Sequence, residues 1–301
     1  MYKRQAICIA ARFYGESAET IVNAMGIAGS MAAALMQFSV DGSWAKKMHP
    51  GWGAHSGMYA FRLAREGYIG AREVFEGSMG LYNAHIRTTE FLDETFSDFY
   101  NRWYTKEVLF KFYPVCHMMH SHLDILFEFM DQEKFNYDDI ESIHACLSPR
   151  AANIVALPPE LKKAPETDYL MRFSIQFCLA IASINKRLSM KEICLDWLKD
   201  ERVQKQMDKI TVESAKEYEV TGYFPGKLII KLKDGRVFEK FQKYETGTKE
   251  NPAKKSNVLR KYYDNTQDYI SKKQADDLVA LIDNIENIDN AAQLAKLLAK
   301  Q

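Results

Sequence analysis

Small and apolar residues dominate the first third of the chain, in a pattern that predicts helices. Between residues 17 and 38, apolar positions lie on nearly every side of a helix, which is typical of a buried segment. Gly26 and Gly29 would let another helix approach this one closely. A second helix is predicted after Pro50 and is expected to end near Gly67. We therefore expect a helical domain at the start of the chain.

Residues in the middle of the chain alternate between apolar and polar, as strands do. Apolar side chains recur at about every second position over residues 140–147, and residues 210–212 are expected to add a strand. Residues 228–232 and 237–241 flank an Asp-Gly pair, which is a strong signal for a hairpin with a two-residue turn because glycine accepts positive φ. Helical patterns on both sides indicate a small α/β unit.

These patterns predict a mainly α fold in three stretches. Residues 1–109 would form the first part of an all-helical domain, residues 110–247 a smaller α/β domain, and residues 248–301 a C-terminal helical part. The chain opens almost directly on the apolar run from Ala6 to Ala11, which is typical of the middle of a buried helix rather than of a signal peptide. We therefore expect the helical domain to be incomplete at its N-terminus. The alternative is a natural start at which a helix begins at once.

Composition argues against several classes of protein. Lys+Arg 40 balances Asp+Glu 40, so the chain lacks the basic excess that is typical of nucleic-acid binding. The five cysteines form no CxxC pair, which argues against a zinc knuckle or a disulfide framework and favours a reducing compartment. No run approaches the roughly 20 apolar residues of a membrane helix. We expect a cytoplasmic protein that binds neither nucleic acid nor membrane.

One cluster of basic residues lies close to an expected helix start. Lys46, Lys47 and His49 directly precede Pro50-Gly51. Lysine offers a compact cation for a carboxylate, and the amides of a helix start favour an anion. The pattern indicates a site for a small anion, with a solvated basic loop as the simpler alternative.

A second cluster combines one lysine with several histidines. Lys111 precedes His117, His120 and Asp124, and on a helix these last three share a face while His122 points elsewhere. Two imidazoles and a carboxylate could mimic a metal site. The spacing spreads them over two turns, however, and no fourth ligand is evident. We predict no metal here, and histidines with a structural role are the plain alternative.

Several short motifs follow one another along the chain, each weak alone. They are Gly26-Ile27-Ala28-Gly29-Ser30, Leu35-Met36-Gln37-Phe38, Lys46 with His49-Pro50-Gly51-Trp52, Lys111 with Tyr113-Pro114, His120 and Asp124, Phe173-Ser174, Lys233-Asp234-Gly235-Arg236, and Asn251-Pro252. In their order and spacing they closely resemble the MmgE/PrpD family, which contains 2-methylcitrate dehydratase and cis-aconitate decarboxylase. The resemblance spans almost the whole chain.

The resemblance implies a fold and a chemistry. It implies a large all-helical domain built from both ends of the chain, a smaller α/β lid, an active site between them, and a homodimer. Family members need no cofactor and act on small di- or tricarboxylates by dehydration, decarboxylation or epimerisation. All three reactions pass through a carbanion beside a carboxylate. Cations stabilise this carbanion, a base can form it by removing a proton, and an acid can protonate it.

The resemblance also assigns roles to particular residues. Lys46 and Lys111 would bind substrate carboxylates, with Lys46 the nearer to the reacting centre. His49 and His120 would line the pocket, either as proton carriers or as supports, with His49 also touching substrate. Asp124 would orient His120 or the lid helix. Lys46, His49 and His120 are thus the expected catalytic residues.

Two departures from the family pattern affect the expected reaction. Residues 1–16 contain no match to the acidic residue, the threonine and the two histidines of the family's N-terminal portion, which again indicates a truncated chain. Residues 148–153 contain no tyrosine to match the one found in some decarboxylases, which favours dehydration, as by 2-methylcitrate dehydratase. A decarboxylase or epimerase of the same family, and a non-catalytic carboxylate-binding protein, are the alternatives.

Overall fold

The structure, a computed structural model, describes residues 2–298. The chain divides into two compact units at the junction of Tyr104 and Thr105. Helices predominate, and a small mixed sheet lies in the second unit. A mainly α fold with a smaller α/β part is therefore confirmed. The second unit runs on past residue 247, and the division at 109 and 247 into a helical domain and a lid stays a prediction.

The first unit is built from helices. They are α1 (Tyr2–Tyr14), α2 (Ala18–Ser30), α3 (Phe38–Asp41), α4 (Ala45–Arg65), α5 (Leu81–His85) and α6 (Leu92–Phe96). Ser17 begins α2 by accepting a hydrogen bond from the Thr20 amide at 3.1 Å, as N-cap serines do. The buried core of this unit joins α1, α2 and α4 through side chains such as Ile7, Ala24 and Phe61.

Helix α2 ends earlier than its apolar pattern predicted, at Ser30 rather than near residue 38. Beyond it, side chains such as Leu35 lie exposed, and without burial an apolar segment gains little from becoming helical. The small residues of α2 do permit a close approach, but by a loop rather than by a helix. A Cβ at Gly26 would lie 2.4 Å from the backbone of Ala71, and one at Gly29 would lie 2.1 Å from Val74 Cγ2.

Helix α4 begins before Pro50 rather than after it. Proline has no N–H, so the carbonyl of Lys46 cannot receive the usual bond from position 50. The helix nevertheless continues, and its later turns pack tightly on α1. A Cβ at Gly57 would lie 2.5 Å from the carbonyl oxygen of Lys3, so glycine is needed at this crossing. The predicted end near Gly67 agrees with the observed end at Arg65.

The second unit mixes helices and strands. In chain order they are α7 (His120–Glu133), β1 (Ile140–Leu147), α8 (Pro149–Val155), α9 (Pro159–Lys163), α10 (Asp168–Met171), α11 (Ile175–Asn185), α12 (Glu201–Asp208), β2 (Ile210–Ser214), β3 (Gly226–Leu232), β4 (Val237–Gln242), α13 (Lys255–Thr266), α14 (Lys272–Asp283) and α15 (Ala292–Leu298). The predicted strands in this region are confirmed.

The sheet has the strand order β2-β1-β3-β4 among the described residues. Strands β1 and β2 are parallel, whereas β1–β3 and β3–β4 are antiparallel. One face of the sheet carries Ile143, Ala145, Leu228 and Ile230, all buried in the core that α7 and α11 also form. Helix α11 is buried along nearly its whole length, which explains its uniformly apolar sequence.

The predicted hairpin joins β3 to β4, but its loop is one residue longer than expected. Leu232 donates its amide to the Arg236 carbonyl at 2.9 Å, which leaves three residues in the loop. Gly235 takes φ +90°, the left-handed position of a loop of this kind. Lys233 donates its amide to the Asp139 carbonyl at 2.9 Å, which continues the antiparallel pairing of β3 with β1 one residue beyond Leu232.

No helix within residues 2–298 combines the length and the apolar composition that crossing a bilayer requires. The longest, α4, has 21 residues but carries lysine, histidine and arginine side chains. The most apolar, α11, has only 11 residues, about half of a membrane span.

His122 ties α7 to the sheet. It is fully buried, and its Nε2 donates to the Cys146 carbonyl of β1 at 2.9 Å. Gly226, the first residue of β3, lies flat against this ring, because a Cβ there would be only 2.5 Å from His122 Cε1. The contact leaves no room for a side chain at position 226.

We predict that Gly226→Ala lowers the free energy of unfolding by about 1 to 3 kcal/mol, the usual result of overpacking a buried site. Urea unfolding would measure it. Gly51→Ala is the matched control, because a Cβ at Gly51 meets nothing within 4 Å. If the clash with His122 is the cause, adding His122→Ala should cost less in the Gly226→Ala background than in the wild type. Strict additivity of the two changes would contradict this explanation.

Candidate functional site

Helix α4 of the first unit brings Lys46 and His49 to one buried ring. Lys46 Nζ lies 5.2 Å from the centroid of Phe38, and the ring of His49 packs edge-on against Phe38 at 5.5 Å between centroids. Phe38 is buried, His49 is half-buried and Lys46 is exposed. The ammonium group of Lys46 is modestly stabilised by its position over the face of the Phe38 ring. The two predicted residues are thus neighbours, although their catalytic role stays a prediction.

In the second unit, Lys111 lies beside two histidines. Its Nζ donates to the Val115 carbonyl at 3.2 Å, so the side chain of Lys111 lies along the segment that leads into α7. His117 stands in a single 3-10 turn before α7, and His120 is the first residue of the helix. Their ring centroids are 4.6 Å apart. Lys111 lies close enough to His117 and His120 to lower the pKa of both, and the roles of these residues stay predictions.

His120 is buried, and its ring nitrogens lack good hydrogen-bond partners in the described part of the chain. Only 1% of its surface is exposed, and neither ring nitrogen makes a well-formed hydrogen bond within the described residues. Burial lowers its pKa well below the ordinary value, and the nearby charges of His117, Lys111 and Lys261 lower it further. His120 is consequently a neutral imidazole at pH 7, with a lone pair free to accept a proton.

Asp124 supports the site through its neighbours rather than by bonding His120. Its Oδ1 accepts from the Tyr113 hydroxyl at 2.8 Å, and its Oδ2 accepts from Gln242 Nε2 and from the Thr246 amide, both at 2.9 Å. The Tyr113 ring in turn packs edge-on against His120 at 5.1 Å. Burial and the carboxylate of Asp124 raise the pKa of Tyr113 well above its usual range, so the phenol keeps its proton.

Glu245 is the residue that sequence reasoning missed. It is completely buried, accepts the Phe224 amide at 3.3 Å, and places Oε1 3.5 Å from Nε2 of His117. Burial raises the pKa of Glu245, while burial and then Lys111 lower that of His117 to about 4. These shifts favour a proton on the carboxyl rather than on the imidazole. A glutamate among polar neighbours carries no sequence signal of burial, so only the fold could show it.

A cavity of about 1090 Å³ opens beside Lys111 in the second unit. Its lining carries more positive than negative side chains. The cations are Lys111, Lys134, Lys186, Arg187, Arg260 and Lys261, and the carboxylates are Glu128, Asp131 and Asp264. Lys261 also donates to the carbonyl of Lys111. A cavity with this excess of cations suits a small molecule that bears several carboxylates.

His117, His120 and Asp124 do not form the metal site considered as an alternative for this cluster. Asp124 is occupied by Tyr113, Gln242 and Thr246, and His117 turns toward Glu245. Within residues 2–298, His117, His120 and Asp124 do not bring three ligand atoms together. The structural alternative holds for His122, which is fixed between α7 and β1.

The fold is that of a two-part protein, a helical unit followed by an α/β unit that holds a cation-rich cavity. Residues 4–93 match the MmgE/PrpD N-terminal domain, and residues 113–287 match the MmgE/PrpD C-terminal domain. The chain therefore belongs to the MmgE/PrpD family, and the resemblance inferred from its motifs is confirmed.

Curated relatives of the chain are fungal. A protein named cis-aconitate decarboxylase from Aspergillus terreus is 22% identical over 94% of this chain and 61% of its own length. A cis-aconitate decarboxylase-like protein, oryM, from Aspergillus oryzae is 23% identical over 78% of this chain and 50% of its own length. The chain thus spans about three fifths or less of the curated relatives it matches. The names of these relatives indicate that the family is of lyase type.

We predict that mild acid destabilises the second unit through its buried histidines. Burial lowers the pKa of His122 from its ordinary 6.5 to about 4. Above pH 6.5 both folded and unfolded states are neutral at this site, and the stability is fully present. As the pH falls from 6.5 toward 4, the unfolded state takes up the proton first and about 3 kcal/mol of stability is lost.

The urea dependence of hydrogen exchange at β1 amides would measure this loss, because those amides report on the second unit alone. His122→Gln should reduce the pH dependence, even if it lowers stability at pH 7, while His117 and His120, whose pKa values are also lowered, continue to contribute. His85→Gln, at an exposed histidine, should leave it unchanged. The same pH dependence in wild type and His122→Gln would show that another group is responsible.

Proposed function

We propose that this protein is a lyase that eliminates water from a small di- or tricarboxylate, by abstracting a proton next to a carboxylate as 2-methylcitrate dehydratase does. Lys111, which lines a cation-rich cavity and lies near the buried, neutral His120, is the observation that carries the proposal. Membership of a family of lyase type supports it. The proposal assigns no cofactor to the reaction.

Substrate binding would depend on the cations of the cavity. Arginine offers a planar fork that pairs two oxygens of a carboxylate, and lysine offers a compact charge. Arg187, Arg260 and Lys261 lie in the same lining as Lys111, so several carboxylates of one molecule would find partners. Since Glu128 already pairs with Lys240 at 2.6 Å, part of the negative lining is neutralised.

Proton abstraction is assigned to His120. In the free protein its basicity is low, because burial and three nearby positive or ionisable groups disfavour the imidazolium. A bound polycarboxylate would offset the charges of Lys111 and Lys261 and so raise the pKa of His120. The base would therefore gain strength when substrate is present.

Departure of the hydroxyl group needs an acid, and His117 with Glu245 suits that role. The carboxyl of Glu245 retains its proton more readily than a usual glutamate, and it faces His117 at 3.5 Å. Glu245 would act through His117, as a positioning residue and proton donor to the imidazole. His117 would then pass a proton to the leaving oxygen.

Decarboxylation is the second candidate, favoured by the printed names of the fungal relatives. Loss of CO₂ and loss of a proton both leave a carbanion beside a carboxylate, so the same cations would stabilise either. Residues 148–153, which begin α8, contain no tyrosine to protonate the carbanion there. A non-catalytic carboxylate-binding protein is the third candidate. A cytoplasmic homodimer stays part of the proposal.

Product analysis distinguishes these candidates. We expect the 301-residue chain to convert a 2-methylcitrate-like acid into the corresponding unsaturated acid, which its ultraviolet absorbance would report. Release of CO₂ from cis-aconitate would instead indicate the decarboxylase. Lys46→Ala should abolish turnover if the predicted role of Lys46 is correct. Binding of these acids without any turnover would contradict the lyase proposal and favour a binding protein.

We predict that Lys111→Ala raises KM for the substrate by roughly 10- to 100-fold, the loss expected for one hydrogen bond to a charged group. Steady-state kinetics at pH 7 would measure it. Lys205→Ala is the matched control, because Lys205 lies exposed on α12 and pairs only with Glu201 among the ion pairs described. An unchanged KM in Lys111→Ala would remove this lysine from the binding site.

A further inference from the structure

The face of the sheet that points away from α7 carries a second group of chemically active side chains. His144 and Cys146 alternate on β1, and the register places Thr211 opposite His144 and Glu213 opposite Cys146 on β2. Because side chains at every second position share a face, these four side chains project from the same side of the sheet. They belong to neither cluster predicted from the sequence.

Three ligand atoms converge there. His144 Nε2 lies 3.2 Å from Glu213 Oε2, and Cys146 Sγ lies 3.9 Å from the same oxygen. All three atoms lie within 4.8 Å of one another. Around a tetrahedral zinc ion, nitrogen and oxygen ligands stand about 3.4 Å apart, and sulfur and oxygen about 3.6 Å apart. The nitrogen–oxygen and sulfur–oxygen distances therefore match a metal-binding arrangement to within a few tenths of an ångström.

The hydrogen bonds of His144 are also compatible with a role as a metal ligand. Its Nδ1 lies 2.8 Å from Thr211 Oγ1, whose own proton is directed toward the Ile143 carbonyl at 3.5 Å. With Nδ1 donating to Thr211, the Nε2 lone pair faces the carboxylate of Glu213, and this tautomer suits a cation bound between the two groups. Metal-bound histidines are commonly fixed in this manner through the other ring nitrogen. With Nε2 donating to Glu213, the same contacts form without an ion.

The surroundings allow a metal thiolate. Burial raises the pKa of the Cys146 thiol, and the hydroxyl of Tyr218, which hydrogen-bonds the sulfur, partly offsets this shift. Lys227 lies opposite Cys146 on β3, and its ammonium group is held by Glu239 at 2.6 Å and partly neutralised. Glu213 is half-exposed, so an ion can enter from solvent and keep a water molecule as its fourth ligand.

We propose that His144, Cys146 and Glu213 form a binding site for a divalent transition-metal ion of the zinc type. One sulfur, one imidazole nitrogen and one carboxylate oxygen suit zinc or cobalt(II) rather than calcium or magnesium, which prefer oxygen ligands. Binding would release the thiol proton of Cys146 as the sulfur–metal bond forms. The ion would cross-link β1 to the edge strand β2 and stabilise the second unit.

Metal titration of the whole chain tests the site. After chelator treatment and removal of the chelator, calorimetry with Zn²⁺ should show one ion per chain. Co²⁺ should give the near-ultraviolet absorption of a cobalt–thiolate bond. Cys146→Ser should remove that absorption, and His144→Gln or Glu213→Gln should weaken Zn²⁺ binding by at least about 10-fold. Thr211→Val, which frees Nδ1 of His144, should weaken it by roughly 10-fold.

Cys194→Ser is the matched control. Cys194 is an exposed cysteine whose sulfur lies 3.8 Å from a carboxylate oxygen of Asp196, and this substitution should leave binding unchanged. Because Cys146→Ser alters a buried residue, the exposed Glu213→Gln variant keeps the test independent of folding. Zn²⁺ should raise the unfolding temperature of the wild type and not that of Glu213→Gln. Equal Zn²⁺ affinity in both proteins, or Co²⁺ bound without thiolate absorption, would overturn the proposal.

Discussion

One carboxylate holds the candidate site of the second unit together. Asp124 accepts hydrogen bonds from Tyr113, from Gln242 and from the amide of Thr246. The first bond sets the aromatic ring that packs on His120. The last fixes the backbone directly after Glu245, which faces His117. These bonds help to position Tyr113 against His120 and Glu245 against His117.

Burial and positive charge then decide the protonation of the site. Removing an imidazole from water disfavours its charged form, and adjacent lysines disfavour it further. His117 and His120 are neutral for both reasons, whereas burial leaves Glu245 inclined to keep its proton. A site with a neutral imidazole, a carboxyl group whose pKa is raised, and lysines that line a cavity suits an anionic ligand. Such an arrangement is a common feature of sites for proton transfer.

Much of the second unit could be predicted, and rather less of the first. The strand at residues 140–147 and the β3–β4 hairpin follow from local alternation and from Gly235, whose positive φ the loop requires. The extent of α2 did not follow, because its apolar residues beyond Ser30 are helical only if something buries them. The start of α4 was misplaced as well. Proline is a strong but not absolute barrier within a helix, and here Pro50 lies inside one.

Sequence patterns were enough to predict the family, the alternation of the strands, and the placing of Lys46 beside His49 and of Lys111 before His120. These features depend on residues close together in the chain, whose geometry the backbone period sets. Only the tertiary structure decided that Glu245 is buried against His117, and that His144 and Cys146 meet Glu213. Those contacts join residues 67 or more positions apart. They depend on strand register and on exclusion of water, which the whole fold sets.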